Sequence, residues 1–174
     1  MLETGLLARH ELADAFTEVV HRETPRLLAI ALSILDDPPA AEDAVQDALL
    51  QAWRSWDSLR DPACRQAWLV RICVRRCLRL RERLNAKVRQ ETEVASIELR
   101  PDHSQDNDRT GFDLTIEWAA AYRRLSNSQR AVVTLHYHYG YTLDDSAVAM
   151  GCRPGTVRRH LSRALEKLRK EVLP

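Results

Sequence analysis

Apolar residues in the first 35 positions recur every three or four places, at Phe16, Val19, Val20, Leu27, Leu28, Ala31, Leu32 and Leu35. That is the spacing of one face of an α-helix. Pro25 interrupts the run and fits a first turn or a kink, because its ring removes a backbone donor. The pattern stops at Asp36-Asp37-Pro38-Pro39 and restarts with Ala44, Val45, Ala48, Leu49 and Ala52, which predicts a second helix from about Ala40 to Trp53. Glu42, Asp43, Gln46, Asp47 and Gln51 lie off its apolar stripe, and acids in a first turn suit the positive end of the helix dipole. Trp56 to Cys64 reads as a loop that turns at Asp61-Pro62. A third, long helix is predicted from about Arg65 to Arg89, with Leu69, Ile72, Cys73, Leu80 and Leu84 turned inward. Strand-type alternation is nearly absent, so the expected fold class is all-α.

The last third of the chain carries the most specific pattern. Leu143, Ala147 and Met150 form the inward face of a short helix, and Gly151 follows where a helix end favours positive φ. Pro154 suits the first turn of a new helix, whose apolar stripe is Val157, Leu161, Ala164, Leu165 and Leu168. Arg153, Thr156, Arg158, Arg159, His160, Arg163 and Lys167 remain outward. Two helices joined by a tight turn, with cations crowded on the second, match the needs of a major-groove reader. Residues near the start of such a helix reach base edges, and the later cations hold phosphates.

Charge sharpens this picture. The chain has 26 Lys/Arg and 25 Asp/Glu in 174 residues, but they are segregated. Residues 1–67 hold 6 basic against 12 acidic side chains, residues 68–89 hold 8 against 1, residues 90–113 hold 2 against 7, and residues 114–174 hold 10 against 5. Two basic blocks therefore suggest two surfaces for polynucleotide, and the acidic stretches suggest others that avoid it or bind protein. Within the first basic block Arg71, Arg75 and Arg79 fall four apart, with Arg76 and Arg83 beside them. Like charges at that spacing repel, so the arrangement makes best sense facing an anion. Trp56 and Trp68 flank the adjoining loop and offer aromatic faces for unstacked bases, although either ring also suits a core position. Residues 91–113 are acidic, polar and without sustained apolar periodicity, and read as a flexible linker.

No apolar run approaches the roughly 18 residues that a membrane span needs, and no basic region followed by an apolar core opens the chain. The expectation is a soluble, cytoplasmic protein. Cys64, Cys73, Cys77 and Cys152 form no C-x-x-C pair, and His136 and His138, two apart on a helix, point in different directions. No metal or cofactor is expected, and no nucleophile with a plausible base points to catalysis.

Taken together, AEDAVQDALLQAW, AWLVRICVRRCLRL and LSNSQRAVVTLHYHYGYTLDDSAVAMGCRPGTVRRHLSRALEKL make the chain resemble a bacterial RNA polymerase sigma factor of the extracytoplasmic-function group. The resemblance implies a region 2 helical bundle over residues 10–90, an acidic linker over 91–113 and a region 4 helix-turn-helix over 114–174. It implies that Asp43, Gln46, Asp47 and Leu50 contact the clamp helices of the largest subunit of core RNA polymerase, with the flap of the second-largest subunit as a further contact for the chain. It assigns Trp56, Trp68, Arg71, Arg75, Arg76 and Arg79 to the minus-ten element and its melting. Arg153, Thr156, Arg158, Arg159 and Arg163 would read the minus-thirty-five element. Promoter DNA and an anti-sigma protein are the further partners implied. The chain departs from the family's W-L-x-x-I-A-x-N-x-x-x-D pattern, with Arg75 at the Asn place and Arg79 at the Asp place. Ser146 stands where Ile is usual, and Arg159-His160 replaces a common Ser-Arg pair. The competing reading is a stand-alone helix-turn-helix regulator that binds duplex DNA without polymerase.

Overall fold

A computed structural model describes residues 2–59, 61–94 and 116–172, and among them no strand occurs. Seven α-helices follow one another: α1 (Leu2–Leu35), α2 (Pro38–Arg54), α3 (Arg65–Val94), α4 (Ile116–Arg123), α5 (Asn127–Val133), α6 (Leu143–Met150) and α7 (Pro154–Val172). Pro25, expected to start or kink a helix, sits inside a continuous α1. It lies on the solvent side, and buried Val19 before it with Leu27 and Ile30 after it hold both halves against one core.

Asp36 ends α1 in the left-handed region, at φ 55°, a conformation that Asp tolerates better than most residues. Asp37 then caps α2, its carboxylate accepting the Ala40 N–H at 3.1 Å, with Pro38 and Pro39 in the first turn where their missing donors cost nothing. The acid that meets the α2 dipole is therefore Asp37. Glu42 and Asp43 fall beyond the first turn, contrary to the expectation. The inward face of α2 is Ala41, Ala44, Val45, Ala48 and Ala52, mostly small residues that let α1 and α3 approach closely. On α3 the buried set is Leu69, Val70, Cys73, Val74 and Cys77, wider than the expected stripe, with Ile72 and Leu80 only half-buried. Leu84 lies outside the residues whose side chains are described.

The second module is built from shorter helices with clear caps. Ser126 and Gln129 form a capping box at the start of α5. Thr142 caps α6, accepting the Asp145 N–H at 3.0 Å. Gly151 ends α6 at φ 70°, as its glycine led us to expect, and Pro154 opens α7. Val157, Leu161, Ala164 and Leu168 are buried, whereas Leu165, expected inward, is exposed. Between α5 and α6 the chain bonds one residue wider than an α-helix, Tyr139 N–H donating to Thr134 O at 3.1 Å.

The two modules are not held apart. Ala131, Val132, Leu135, Ala147, Met150 and Val157 join Leu27, Ile30, Ile34, Val70 and Val74 in one apolar cluster, with α6 on α3 and α5 on α1. Polar contacts line the same seam. Arg130, itself buried, donates to Arg123 O at 2.6 Å and to Ile34 O at 3.5 Å, and lies 3.6 Å from the Asp36 carboxylate. Thr134 Oγ1 donates to Ser33 Oγ at 3.1 Å, and Arg26 stacks over the Tyr139 ring at 4.7 Å. The linker expected over residues 91–113 starts within α3, which continues to Val94, and the rest of it lies outside the described residues.

Ser146 is fully buried at this junction and its hydroxyl finds no hydrogen-bond partner among the described residues. A buried, unpaired hydroxyl costs about 1–3 kcal/mol. Ser146→Ala is therefore expected to stabilise the fold by about 1 kcal/mol, raising Tm by roughly 3 °C in scanning calorimetry. A fall in Tm would mean that the hydroxyl has a partner, such as a bound water.

Candidate nucleic-acid interface

The turn at Gly151 fixes how α7 is presented. With its apolar stripe set into α4, α5 and α6, the opposite face of α7 turns Arg153, Arg158, Arg159, Arg163 and Lys167 to solvent. Thr156 is half-buried at the helix start, where its N–H bonds Arg153 O at 2.9 Å. Arg158 lies 3.6 Å from Asp144 of α6, but both side chains are mostly exposed, and such a pair contributes little and yields readily to another anion. His160, expected outward, is half-buried and lines a cleft shared with Arg75 and Arg79 of α3. Burial, with Arg159 and Arg163 beside it, pushes its pKa below the usual imidazole value and favours the neutral ring.

The second basic surface is partly occupied. Arg79 and Arg83 are exposed, while Arg71, Arg75 and Arg76 are half-buried. Arg76 is paired across to α2, its Nε donating to Asp47 Oδ2 at 3.0 Å. Arg75 Nη2 donates to Val148 O of α6 at 2.9 Å. Trp56 is a core residue, its ring 5.0 Å from Phe16 and 6.2 Å from Trp68, with the Arg65 guanidinium 4.9 Å over its face. The open face expected of Trp56 for an unstacked base is filled by protein. Trp68 is half-buried, and the loop before it folds into two single 3-10 turns, Trp56–Ser58 and Pro62–Cys64.

The α2 surface has the opposite chemistry. Asp43, Gln46 and Leu50 share one exposed face, and Asp47 beside them is half-exposed and paired to Arg76. Trp53 continues that face one turn beyond Leu50. The two side chains are 45% and 55% exposed, with Phe16 of α1 at 5.0 Å from the Trp53 ring. Sequence reasoning passed over Trp53, although its place three residues after Leu50 puts it on the same side of the helix.

The thiols play no visible part. Cys73 and Cys77 are buried together, and the hydrogen bond that the Cys73 thiol makes to Cys77, together with burial, raises the Cys73 pKa well above the ordinary thiol value. Among the described residues no three His, Cys, Asp or Glu side chains are grouped to hold a metal ion, and no helix is long and apolar enough to cross a membrane.

Among the described residues the chain is helical and strand-free, with an exposed cationic helix behind a left-handed turn and a second basic helix in another module, features that suit a DNA-binding protein. Comparison with known families agrees and is more specific. Residues 19–87 match Sigma-70 region 2, and residues 116–168 match Sigma-70, region 4. The ECF RNA polymerase sigma factor SigM of Mycobacterium tuberculosis is 33% identical over 172 residues, covering 95% of this chain and 82% of its own length. The RNA polymerase sigma-E factor of Streptomyces avermitilis is 29% identical over 157 residues, covering 90% of this chain and 84% of its own. Among solved structures, the sigma factor RpoE of Bartonella quintana, in complex with the anti-sigma factor NepR, superposes with a TM-score of 0.66 at 28% identity, over 91% of this chain and 96% of that one. CnrH, solved with the cytosolic domain of CnrY, shares the fold with a TM-score of 0.57 at 22% identity. The chain belongs to the sigma-70 family of RNA polymerase sigma factors, in its extracytoplasmic-function group.

Proposed function

We propose that this sigma factor acts in the cytoplasm, docking on core RNA polymerase through the α2 face and directing it to promoters through α3 and α7. The observation that carries the reading is the pairing of chemically opposite exposed faces in one small chain. Asp43, Gln46, Leu50 and Trp53 form an acidic and apolar face, and Arg153, Arg158, Arg159 and Arg163 form a cationic one on a helix-turn-helix. A regulator that worked alone would need only the second.

In this reading residues 10–90 grip the polymerase clamp helices and open the minus-ten element, residues 114–174 bind the minus-thirty-five element and the polymerase flap, and residues 91–113 join them. Arg71, Arg75, Arg76 and Arg79, with Trp68, serve the minus-ten side. Arg153, Thr156, Arg158, Arg159 and Arg163 serve the other. Two modest contacts through one chain raise the effective concentration at the second element, so neither need be tight alone. Bond formation belongs to the polymerase, and the chain supplies no catalytic group. An anti-sigma partner is part of the proposal, by analogy with RpoE, solved in complex with the anti-sigma factor NepR.

Run-off transcription with core polymerase on a randomised promoter library tests this. The expected result is a recurrent pair of sequence elements among the initiating templates, with the free chain binding the same duplexes poorly. Tight duplex binding by the chain alone, with no initiation from any template, would favour a stand-alone regulator instead.

A further inference from the structure

Arg75 is assigned to promoter contact in the reading above, yet its guanidinium is already engaged. Val148 belongs to the last turn of α6, where a helix leaves its carbonyls without internal donors. The Gly151 and Cys152 N–H groups both turn back to Ala147 O, and Val148 O takes Arg75 Nη2 at 2.9 Å. That end of α6 carries the negative pole of the helix dipole, so the cation meets a partial negative charge as well as an acceptor. The approach is tight, and a side chain at 151 would make the guanidinium give by a few tenths of an ångström. A Cβ at position 151 would stand 3.1 Å from Arg75 Nε, and its φ of 70° independently disfavours any other residue.

Arg79 and His160 share the cleft around this contact, a cavity of about 500 Å³ between the modules that Glu82, Ser128 and Cys152 help to line. On the far side of the seam, Asp36 faces both Arg130 at 3.6 Å and Arg123 at 4.0 Å. The two contacts lie on different helices of the first module and act as separate fastenings.

We propose that Arg75 latches the two modules closed, with the carbonyl end of α6 standing where a nucleic-acid backbone would otherwise lie, so that closure and promoter binding compete for one guanidinium. This rests on the sigma reading for the identity of the competitor. The geometry of a promoter demands the same opening. Elements at minus-ten and minus-thirty-five are about 25 base pairs apart, roughly 85 Å of duplex axis, and modules in direct contact cannot span that distance.

Small-angle scattering on the free chain, with Arg75→Asn and Asp36→Asn, tests the latch. Asn tolerates the left-handed conformation at position 36, so that variant removes a charge without backbone strain. A compact chain of this length has a radius of gyration of roughly 16 Å. Both variants leave the shared apolar core in place and enlarge the open fraction without abolishing closure, so Arg75→Asn is expected to raise the measured radius by roughly a tenth, and Asp36→Asn by a smaller amount. Asp36→Asn keeps every proposed DNA contact, so its affinity for a labelled oligothymidylate of about 20 nucleotides should rise roughly threefold or more over the unmodified chain. Arg75→Asn should show less gain, having lost a contact as well as the latch. Unchanged radii in both variants, or an unchanged oligothymidylate affinity for Asp36→Asn, would overturn the proposal. Run-off transcription by the unmodified chain would stand untouched by that failure, so the latch and the sigma reading fail separately.

Discussion

Arg163→Glu is expected to weaken promoter binding by the polymerase-bound chain roughly tenfold or more, while its affinity for core polymerase stays within about twofold. The side chain is exposed on the outward face of α7, where its charge is felt by Glu166 and His160 on the same helix. It lies nine residues beyond Pro154, about 13 Å along the helix, past the turns that enter a groove. That position suits a phosphate. Reversal removes one ion contact and adds a repulsion, so the loss should be similar for all promoters and the salt dependence of binding should flatten. Arg158→Ala should behave differently. Arg158 sits in the second turn of α7, in an exposed contact with Asp144, and on the proposed reading it is placed to meet a base edge. Its removal is expected to relax the preference at one base pair by about 1–3 kcal/mol of discrimination, with little change in the salt slope. Electrophoretic binding of holoenzyme to paired promoter variants across a salt series separates the two behaviours. If Arg163→Glu lowered affinity for core polymerase as much as for DNA, the division of labour between α7 and α2 would be wrong.

What could be read from the chain in advance follows from how local each cause is. Gly151, Pro154 and the stripe from Val157 to Leu168 act within one turn and the next helix, and the helix-turn-helix appears where they place it. Asp37 capping α2 is equally local, although the acids after it drew attention away. The misread positions depend on distant neighbours. Trp56 resembles an exposed loop aromatic until Phe16, forty residues earlier, packs against its ring. Leu165 completes a heptad-like stripe, yet the helices behind α7 are too short and too few to cover that edge. Pro25 breaks the pattern on paper but faces water, where a missing donor is replaced by solvent and the apolar residues on either side decide the helix axis. The closure of the two modules was the least legible feature. Nothing in the spacing of Ala131, Val132 and Leu135 distinguishes burial within their own module from burial against Ile30 and Val74.

The candidate site divides the same way. Exposed groups were found by amphipathic pattern, because a face that excludes apolar residues is visible in one helix alone. Which of those groups are free was not visible. Asp47 and Arg76, expected to serve polymerase and DNA, are paired with each other in the free chain, and Arg75 holds α6. A contact surface for a partner and a contact between helices use the same side chains, and only the packing tells them apart.

That distinction makes Leu50 the decisive residue on α2, and Leu50→Asp is expected to reduce affinity for core polymerase about a hundredfold without lowering Tm measurably. Leu50 is 55% exposed and makes no contribution to the core, so exchanging it should change stability by no more than about 0.5 kcal/mol. Burying its side chain at an interface is worth about 1.5–3 kcal/mol, and a carboxylate in the same place adds a desolvation penalty. Trp53, one turn on and in tilted contact with Phe16 at 5.0 Å, extends the apolar patch and offers the kind of aromatic anchor that concentrated interfaces favour. Asp43→Asn should have a far smaller effect, since an exposed charge at a rim steers association more than it holds the complex. Asp47→Asn is a poorer probe, because it also releases Arg76 and loosens α2 from α3. Surface plasmon resonance with immobilised core polymerase would rank the three. A Leu50→Asp chain that still bound core polymerase normally, with its Tm unchanged, would move the docking surface off this face of α2. The exposed Leu50–Trp53 patch would then need another occupant.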